Sequence, residues 1–133
     1  MIVGGKIERV EADKKSDGKI EGLSINITLD DIKVKEENVE ISYTYSAKYE
    51  KDVGEIKIIG TLYAKEDKKT AKEIADIWKK EKAARKLPLD YTSALLSAIN
   101  YTGSANGTLV ARVLNLSPPL VPPKLQLESE HKK

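Results

Sequence analysis

The residues best suited to acid–base chemistry in this sequence are two adjacent carboxylate pairs, Asp30-Asp31 and Glu36-Glu37. A general acid and a general base must converge on one substrate across a cleft. Neighbouring residues in a strand point to opposite faces of the sheet, so adjacent carboxylates do not converge there. We interpret both pairs as solvated turn residues rather than as a catalytic site.

Other side chains that carry chemistry are scarce. The chain has no cysteine, and its one histidine, His131, lies among the last three residues. This composition excludes disulfides, thiolate catalysis and cysteine zinc sites. It also argues against a histidine metal cluster or a serine–histidine–aspartate triad. We therefore predict no enzymatic activity, no metal site and no cofactor.

Two further sequence patterns raise the question of phosphate binding. The lysine-rich stretch 79–86 could contact phosphate, but the net charge of +2 combines both signs and no wider basic surface accompanies it. We favour a solvated helix face, and nucleic-acid binding stays a less favoured alternative. Gly103 and Gly107 fall inside a helical pattern and follow no strand, so they do not form a phosphate-binding loop.

The most unusual stretch covers residues 91–111, which include no charged residue in a chain that is 33% charged. Apolar residues recur in it at helical spacing. Pro88 suits the first turn of a helix, and the prolines of segment 117–123 end it. We predict one helix over residues 88–114, about 40 Å long at 1.5 Å per residue.

This stretch is too polar for a membrane span, because residues such as Asn100 and Asn106 interrupt it. Residues 1–6 are too short an apolar run for a signal peptide, and we expect a soluble cytoplasmic protein without membrane insertion. A helix without a charged face is expected to be buried on more than one side. We therefore predict that a second subunit covers it, through Ile99, Gly103, Gly107 and Val110.

The first half of the sequence alternates apolar and polar residues, which is typical of strands. Four strands are predicted near residues 5–13, 23–34, 39–50 and 56–64, with turn-forming residues between them. No helix intervenes, which favours an antiparallel meander with one buried face. The alternation slips at Glu8-Arg9, where we expect a bulge or register change, and Asp30-Asp31 is expected to break the second strand.

The elements that follow complete the predicted fold. Thr70 and Glu73 match a capping box, which predicts the start of a short helix before the long one. The fold class is therefore α+β: a four-stranded antiparallel meander sheet, a short helix, and one long helix packed on the sheet. We predict one domain over residues 1–127, with a short edge strand near 124–127, and a flexible tail over 128–133.

Some apolar and aromatic residues lie where they could bind a partner. Ile59 and Tyr63 interrupt the polar face of the fourth strand, and an apolar surface patch of this kind usually contacts a partner. One tryptophan and the tyrosines of the third strand could lie in the core or line a groove, and we favour the core: Trp78, Tyr43, Tyr45 and Tyr49.

The order of elements resembles the SecB family of export chaperones, especially its distant archaeal-type relatives. The residues that carry this resemblance are 91–100 (YTSALLSAIN) and 109–123 (LVARVLNLSPPLVPP), which end a long helix in an apolar, proline-bearing segment. The resemblance implies an ATP-independent holdase that binds unfolded or nascent polypeptides in apolar surface grooves. It also implies a homotetramer, a dimer of dimers, whose chains pair through their sheets and enclose the long helices.

The resemblance also implies positions for the client-binding groove, which are Tyr45, Ile59, Tyr63, Trp78, Leu120 and Val121. The chain departs from the family in two ways, because bacterial members are acidic and have phenylalanine-rich grooves, whereas this chain has a net charge of +2 and no phenylalanine. These departures disfavour SecA-linked export. A general holdase, or a dedicated chaperone of one partner such as an antitoxin, fits better. A non-catalytic structural or ligand-binding oligomer stays the alternative.

Overall fold

The computed structural model describes residues 1–17, 22–82, 86–119 and 126–127. The strands within these residues are β1 Ile2–Lys14, β2 Leu23–Lys35, β3 Asn38–Tyr49, β4 Gly54–Lys65 and β5 Gln126–Leu127. The helices are α1 Lys68–Glu81 and α2 Leu89–Leu114, and a 3-10 turn at Glu50–Asp52 joins β3 to β4. The predicted α+β class is confirmed.

The strands form a sheet in the order β1-β4-β3-β2-β5. Strands β2, β3 and β4 follow one another as the predicted antiparallel meander. β1 instead pairs with β4, so β1 and β2 are not neighbours in the sheet. Just after β1, the Lys15 amide donates to the Val53 carbonyl at 2.7 Å. This order places β3 and β4 at the centre of the sheet. The β1–β4 register shifts between Ile7 and Arg9, which confirms the predicted irregularity.

The aspartate pair in β2 produces a β-bulge rather than the predicted break. The register with β3 shifts between Leu29 and Asp31, and β2 then continues to its end. The Thr44 hydroxyl donates to Asp30 Oδ2 at 2.6 Å, and the Ile32 amide donates to Asp31 Oδ1 at 2.9 Å. The two carboxylates therefore stabilise the extra residue, whose backbone would otherwise disrupt the ladder.

The hydrophobic core lies between one face of the sheet and the two helices. Its fully buried side chains include Tyr43 and Tyr45 from β3, Ile74 from α1, and Leu95 and Ile99 from α2. The alternation in β3 and β4 leaves mainly polar and charged side chains on the other face, which we call the outer sheet face. The tyrosines of β3 are therefore core residues.

Helix α1 begins two residues before the predicted capping box. Asp67 is the N-cap, and its carboxylate accepts a hydrogen bond from the Thr70 amide at 2.7 Å. This bond holds the pKa of Asp67 below its usual value. The helix packs along β2, and Trp78 Nε1 donates to Asp31 Oδ1 at 3.2 Å. The bulge in β2 therefore also supplies the polar partner of the buried indole.

Helix α2 matches the predicted long helix closely. It ends where Asn115 adopts a left-handed conformation, with φ of 56°, and the Leu116 amide donates to the Ala111 carbonyl at 2.8 Å. This left-handed residue closes the helix as a C-cap. Within the described residues, no helix is long and apolar enough to cross a membrane.

Candidate functional site

The acidic pairs have structural environments rather than catalytic ones. Asp30 and Asp31 accept hydrogen bonds from Thr44 and Trp78, which fixes the bulge and α1. Glu36 and Glu37 are exposed in the turn between β2 and β3. In the part of the chain that the structure describes, no group of three or more histidine, cysteine, aspartate or glutamate residues is arranged to hold a metal ion. The exposed apolar surfaces of the chain are a different kind of candidate site.

The inner face of α2 packs against the sheet of its own chain. Ile99 and Gly103 are buried there, and a Cβ added to Gly103 would collide with the ring of Tyr45. Glycine lets α2 approach β3 this closely because it has no side chain. Both residues contact their own chain, and the predicted contact of Ile99 and Gly103 with a second subunit stays a prediction. The core of the same chain covers that side of the helix.

Gly107, another predicted interface residue, also faces its own chain. A Cβ at Gly107 would lie 2.8 Å from Pro119 Cγ, and Pro119 is fully buried. The Tyr49 hydroxyl donates to the Ser117 carbonyl, and burial raises the pKa of Tyr49 to about 12. Leu116 is buried as well. We call residues 116–119 the exit segment. It packs against α2 at Gly107, where the missing side chain leaves room for Pro119.

The outward face of α2 is exposed and has only two charged residues, Asp90 and Arg112, which we regard as its most informative property. Its exposed, uncharged residues from position 93 onward define the α2 outer stripe: Ser93, Ala94, Ser97, Tyr101, Ala105, Leu109 and Val113. Tyr101 is 78% exposed and Val113 is 81% exposed, while the predicted interface residue Val110 is partly buried against the core. A helix face in water normally carries charged residues. The α2 outer stripe therefore has the composition of a contact surface.

Strand β1 provides another exposed apolar surface. It lies at one edge of the sheet, and Val3 and Val10 are 59% and 45% exposed. A groove of about 430 Å³ separates β1 from α2, lined among others by Ile7, Leu62 and Tyr101. The backbone groups of a long edge strand are a template for pairing with another chain. The α2 outer stripe and β1 are thus neighbouring surfaces on the two sides of this groove.

Two of the predicted groove residues belong to the core. Tyr45 is completely buried beneath Gly103, and Trp78 is 5% exposed and bonded to Asp31. Neither side chain lines a surface of the single chain. Both aromatic rings fill space between the sheet and the helices, and their role in client binding stays a prediction.

Other predicted groove residues lie on the outer sheet face. Ile59 and Tyr63 are partly exposed on β4, opposite the helices. Tyr63 lines a cleft of about 450 Å³ that extends from Val3 on β1 to β2. Leu120 and Val121 lie outside the described residues. Ile59, Tyr63, Leu120 and Val121 therefore stay predictions for client binding.

Comparisons with known proteins bear on the fold. A scan against models of protein families and a search of curated proteins find no match. Among solved structures, the SecB-like chaperone Rv1957 of Mycobacterium tuberculosis, in complex with a ChAD peptide from the Rv1956 HigA1 antitoxin, is similar at a TM-score of 0.55 and 16% identity. The match covers 92% of this chain and 88% of that chain. The chain has a SecB-like fold. Its predicted archaeal-type relationship stays a prediction.

Within the SecB-like fold, sequence reasoning missed how α2 divides into two rows. The buried residues of α2 include the row Leu95, Ile99, Gly103, Gly107 and Ala111, whereas Tyr101, Leu109 and Val113 fall on an exposed row. Both rows repeat every four residues, and both are uncharged. Residue size does not separate the two rows, because exposed positions such as Ser97 and Ala105 are also small.

Proposed function

We propose that this chain is a chaperone that holds unfolded polypeptides without ATP and works as a homo-oligomer. The observation that carries the proposal is its SecB-like fold, shared with a chaperone whose structure contains a bound peptide. Exposed apolar side chains on β1 and α2, among the described residues, support the homo-oligomer, because apolar surface patches usually contact a partner. The predicted cytoplasmic location fits this role.

The α2 outer stripe and β1 are our proposed subunit contacts. Pairing β1 with β1 of a second copy would extend the sheet, since a two-fold axis brings the same surface of both copies together. The α2 outer stripe would then pack between sheets in a dimer of dimers. Fully burying a large apolar side chain contributes about 1.5–3 kcal/mol. Tyr101, Leu109 and Val113 are exposed in the single chain and would each gain from such burial.

The outer sheet face is our proposed client surface. It stays accessible when β1 and α2 are covered, because the helices pack on the opposite face. Ile59 and Tyr63 provide apolar contacts there, and the cleft beside Tyr63 offers depth for a client side chain. An extended segment of varied sequence can use such a surface without a matching pocket. A dedicated client such as an antitoxin segment would bind in the same way.

Suppression of aggregation tests this function. A reduced, unfolded client protein is diluted from denaturant with or without this chain, in the absence of nucleotide, and light scattering is recorded. We expect stoichiometric amounts of the chain to keep scattering low. Scattering as high as in the client alone would contradict the proposal and would favour a structural oligomer without client binding.

Variants on β4 test the proposed client surface. We expect Ile59→Ser combined with Tyr63→Ser to weaken suppression, because both changes remove apolar area from the outer sheet face. Lys57→Ser is the matched control, since Lys57 lies on the same face two residues before Ile59. Oligomer mass should stay unchanged in all variants. If the double variant protects the client as well as the wild type does, the outer sheet face is not the client surface.

A further inference from the structure

The two charged residues of α2 lie on the same face of the helix as its exposed tyrosine. Asp90 and Arg112 are both exposed, and Tyr101, which is 78% exposed, lies midway between them in the sequence. At about 100° per residue, each charge is about three turns and 20° away from Tyr101. The three side chains therefore fall close to one line along the helix, with each charge about 16 Å from Tyr101.

The helix dipole accounts for the sign of each charge but not for this alignment. A carboxylate near the first turn and a cation near the last turn are favoured by the dipole on whichever face of the helix they lie. Among the described residues, neither Asp90 nor Arg112 forms an ion pair within its own chain. Both charges can therefore pair with a partner that approaches the outward face of α2.

We propose that this face binds α2 of a second copy in the antiparallel direction, with the two helices crossing at Tyr101. This inference rests on the proposed homo-oligomer and specifies how its α2 contact is oriented. A two-fold axis beside Tyr101 would bring Asp90 of each copy opposite Arg112 of the other, because both charges are equally far from the axis. The contact would thus contain two identical ion pairs, one at each end.

Charge complementarity selects this direction. In a parallel pair of helices, Asp90 would face Asp90 and Arg112 would face Arg112, and like charges repel each other across an interface. The antiparallel helices would cross at about 20°, as in most helix bundles. At 16 Å from the crossing point this angle separates the helices sideways by only about 6 Å, which the long arginine side chain can span.

Charge reversal tests the pairing, with sedimentation velocity as the measurement. Asp90→Arg alone, or Arg112→Asp alone, should raise the dissociation constant of the contact by about tenfold or more, because each places like charges together at both ends. The double variant Asp90→Arg/Arg112→Asp restores opposite charges at both ends and should associate as the wild type does. Asp76→Arg, on the exposed face of α1, is the matched control and should leave association unchanged.

The double variant separates this contact from an effect of the helix dipole. It places each charge at the end of α2 where the dipole disfavours it, so a loss of helix stability alone would make it the weakest of the three variants. The proposed pairing predicts the opposite order, because the double variant should associate more tightly than either single variant. Circular dichroism records whether the helix is retained in each protein.

A disulfide tests the register, because the chain has no cysteine of its own. Ser97 and Ala105, exposed on either side of Tyr101, lie opposite each other in the proposed pair. Helix axes about 8–10 Å apart place these Cα atoms about 6 Å apart, within the range that a disulfide spans. Ser97→Cys/Ala105→Cys should therefore form linked dimers on mild oxidation. Ser97→Cys alone is the control and should not link, since its two copies are about 12 Å apart along the axis.

Wild-type association in both single reversals would overturn the antiparallel pairing, as would a double variant that retains its helix but fails to associate. Should the double variant lose its helix, the disulfide decides. Absence of linked dimers from Ser97→Cys/Ala105→Cys, in a sample that sediments as an oligomer, would overturn the register and the pairing. The proposed homo-oligomer would survive each of these results. A wild-type chain that sediments as a monomer would instead overturn the homo-oligomer and the pairing with it.

Discussion

Single residues decide how closely α2 approaches the sheet. Gly103 lies over the ring of Tyr45, and Gly107 receives Pro119 of the exit segment. The sequence indicated close packing at both glycines but not which residues pack against them. A small residue shows that something approaches, whereas the identity of that neighbour depends on the register of distant strands. Both neighbours come from the same chain.

The contact between Gly103 and Tyr45 gives a prediction about stability. Gly103→Val should lower the free energy of unfolding by about 1–3 kcal/mol or more, because the added side chain has no space above the ring. Chemical denaturation measures this change. The control is the same substitution combined with Tyr45→Ala, in which the two effects should be less than additive. Wild-type stability in Gly103→Val would contradict the packing described for α2.

Tyr49 gives a prediction about pH. Burial raises its pKa from 10.0 to about 12, so folding favours the protonated hydroxyl that donates to Ser117. A raised pKa in the folded state contributes stability that is complete below pH 10 and is lost as the pH rises from 10 to 12. Denaturation midpoints measured across this range should fall. Tyr49→Phe should show a shallower fall, and an equal slope in both proteins would contradict this role of Tyr49.

Among the elements, the strands were the most predictable. Strict alternation identified β2, β3 and β4, and its slip at Glu8-Arg9 located the irregularity in β1. Alternation reports which face of a strand is buried but not which strand lies beside it. The pairing of β1 with β4 was therefore not visible in the sequence. The bulge at Asp30 was also read as a break, because its stabilising partner, Thr44, is distant along the chain.

Helix α2 shows the limit of a periodic pattern. Its existence and length followed from spacing and from the prolines that flank it, and the lack of charge indicated two covered sides. The predicted interface residues Ile99, Gly103 and Gly107 lie on the inner row, which packs against the same chain, and the inner and outer rows are both uncharged. Only the position of the sheet distinguishes them. The assembly hypothesis now rests on exposed residues such as Tyr101 and Leu109.

The α2 outer stripe gives a prediction about assembly. Tyr101→Lys combined with Leu109→Lys should dissociate the oligomer, because charged side chains are costly in an apolar interface. Sedimentation velocity should show a smaller species, and circular dichroism should show unchanged helix and strand content. Asp76→Lys, on the exposed face of α1, is a control that also adds positive charge. An unchanged sedimentation coefficient in the double variant would remove the α2 outer stripe from the interface.

For the whole molecule, the sequence predicted the class of fold. The α+β class and the SecB-like fold are confirmed. Two of the predicted groove residues, Tyr45 and Trp78, instead fill the core. Both the core and a client groove favour aromatic side chains, so residue type alone does not separate them. Burial does, and burial is a property of the assembled molecule.

The measurement that tests the central claim most directly is the mass of the complex formed with a client. The chain is mixed with a reduced, carboxymethylated unfolded protein without nucleotide and separated by size-exclusion chromatography with light scattering. We predict a species of about 59 kDa, four times the 14.7 kDa of one chain, increased by the mass of bound client. A species of 14.7 kDa eluting apart from the client would contradict both the assembly and the chaperone function.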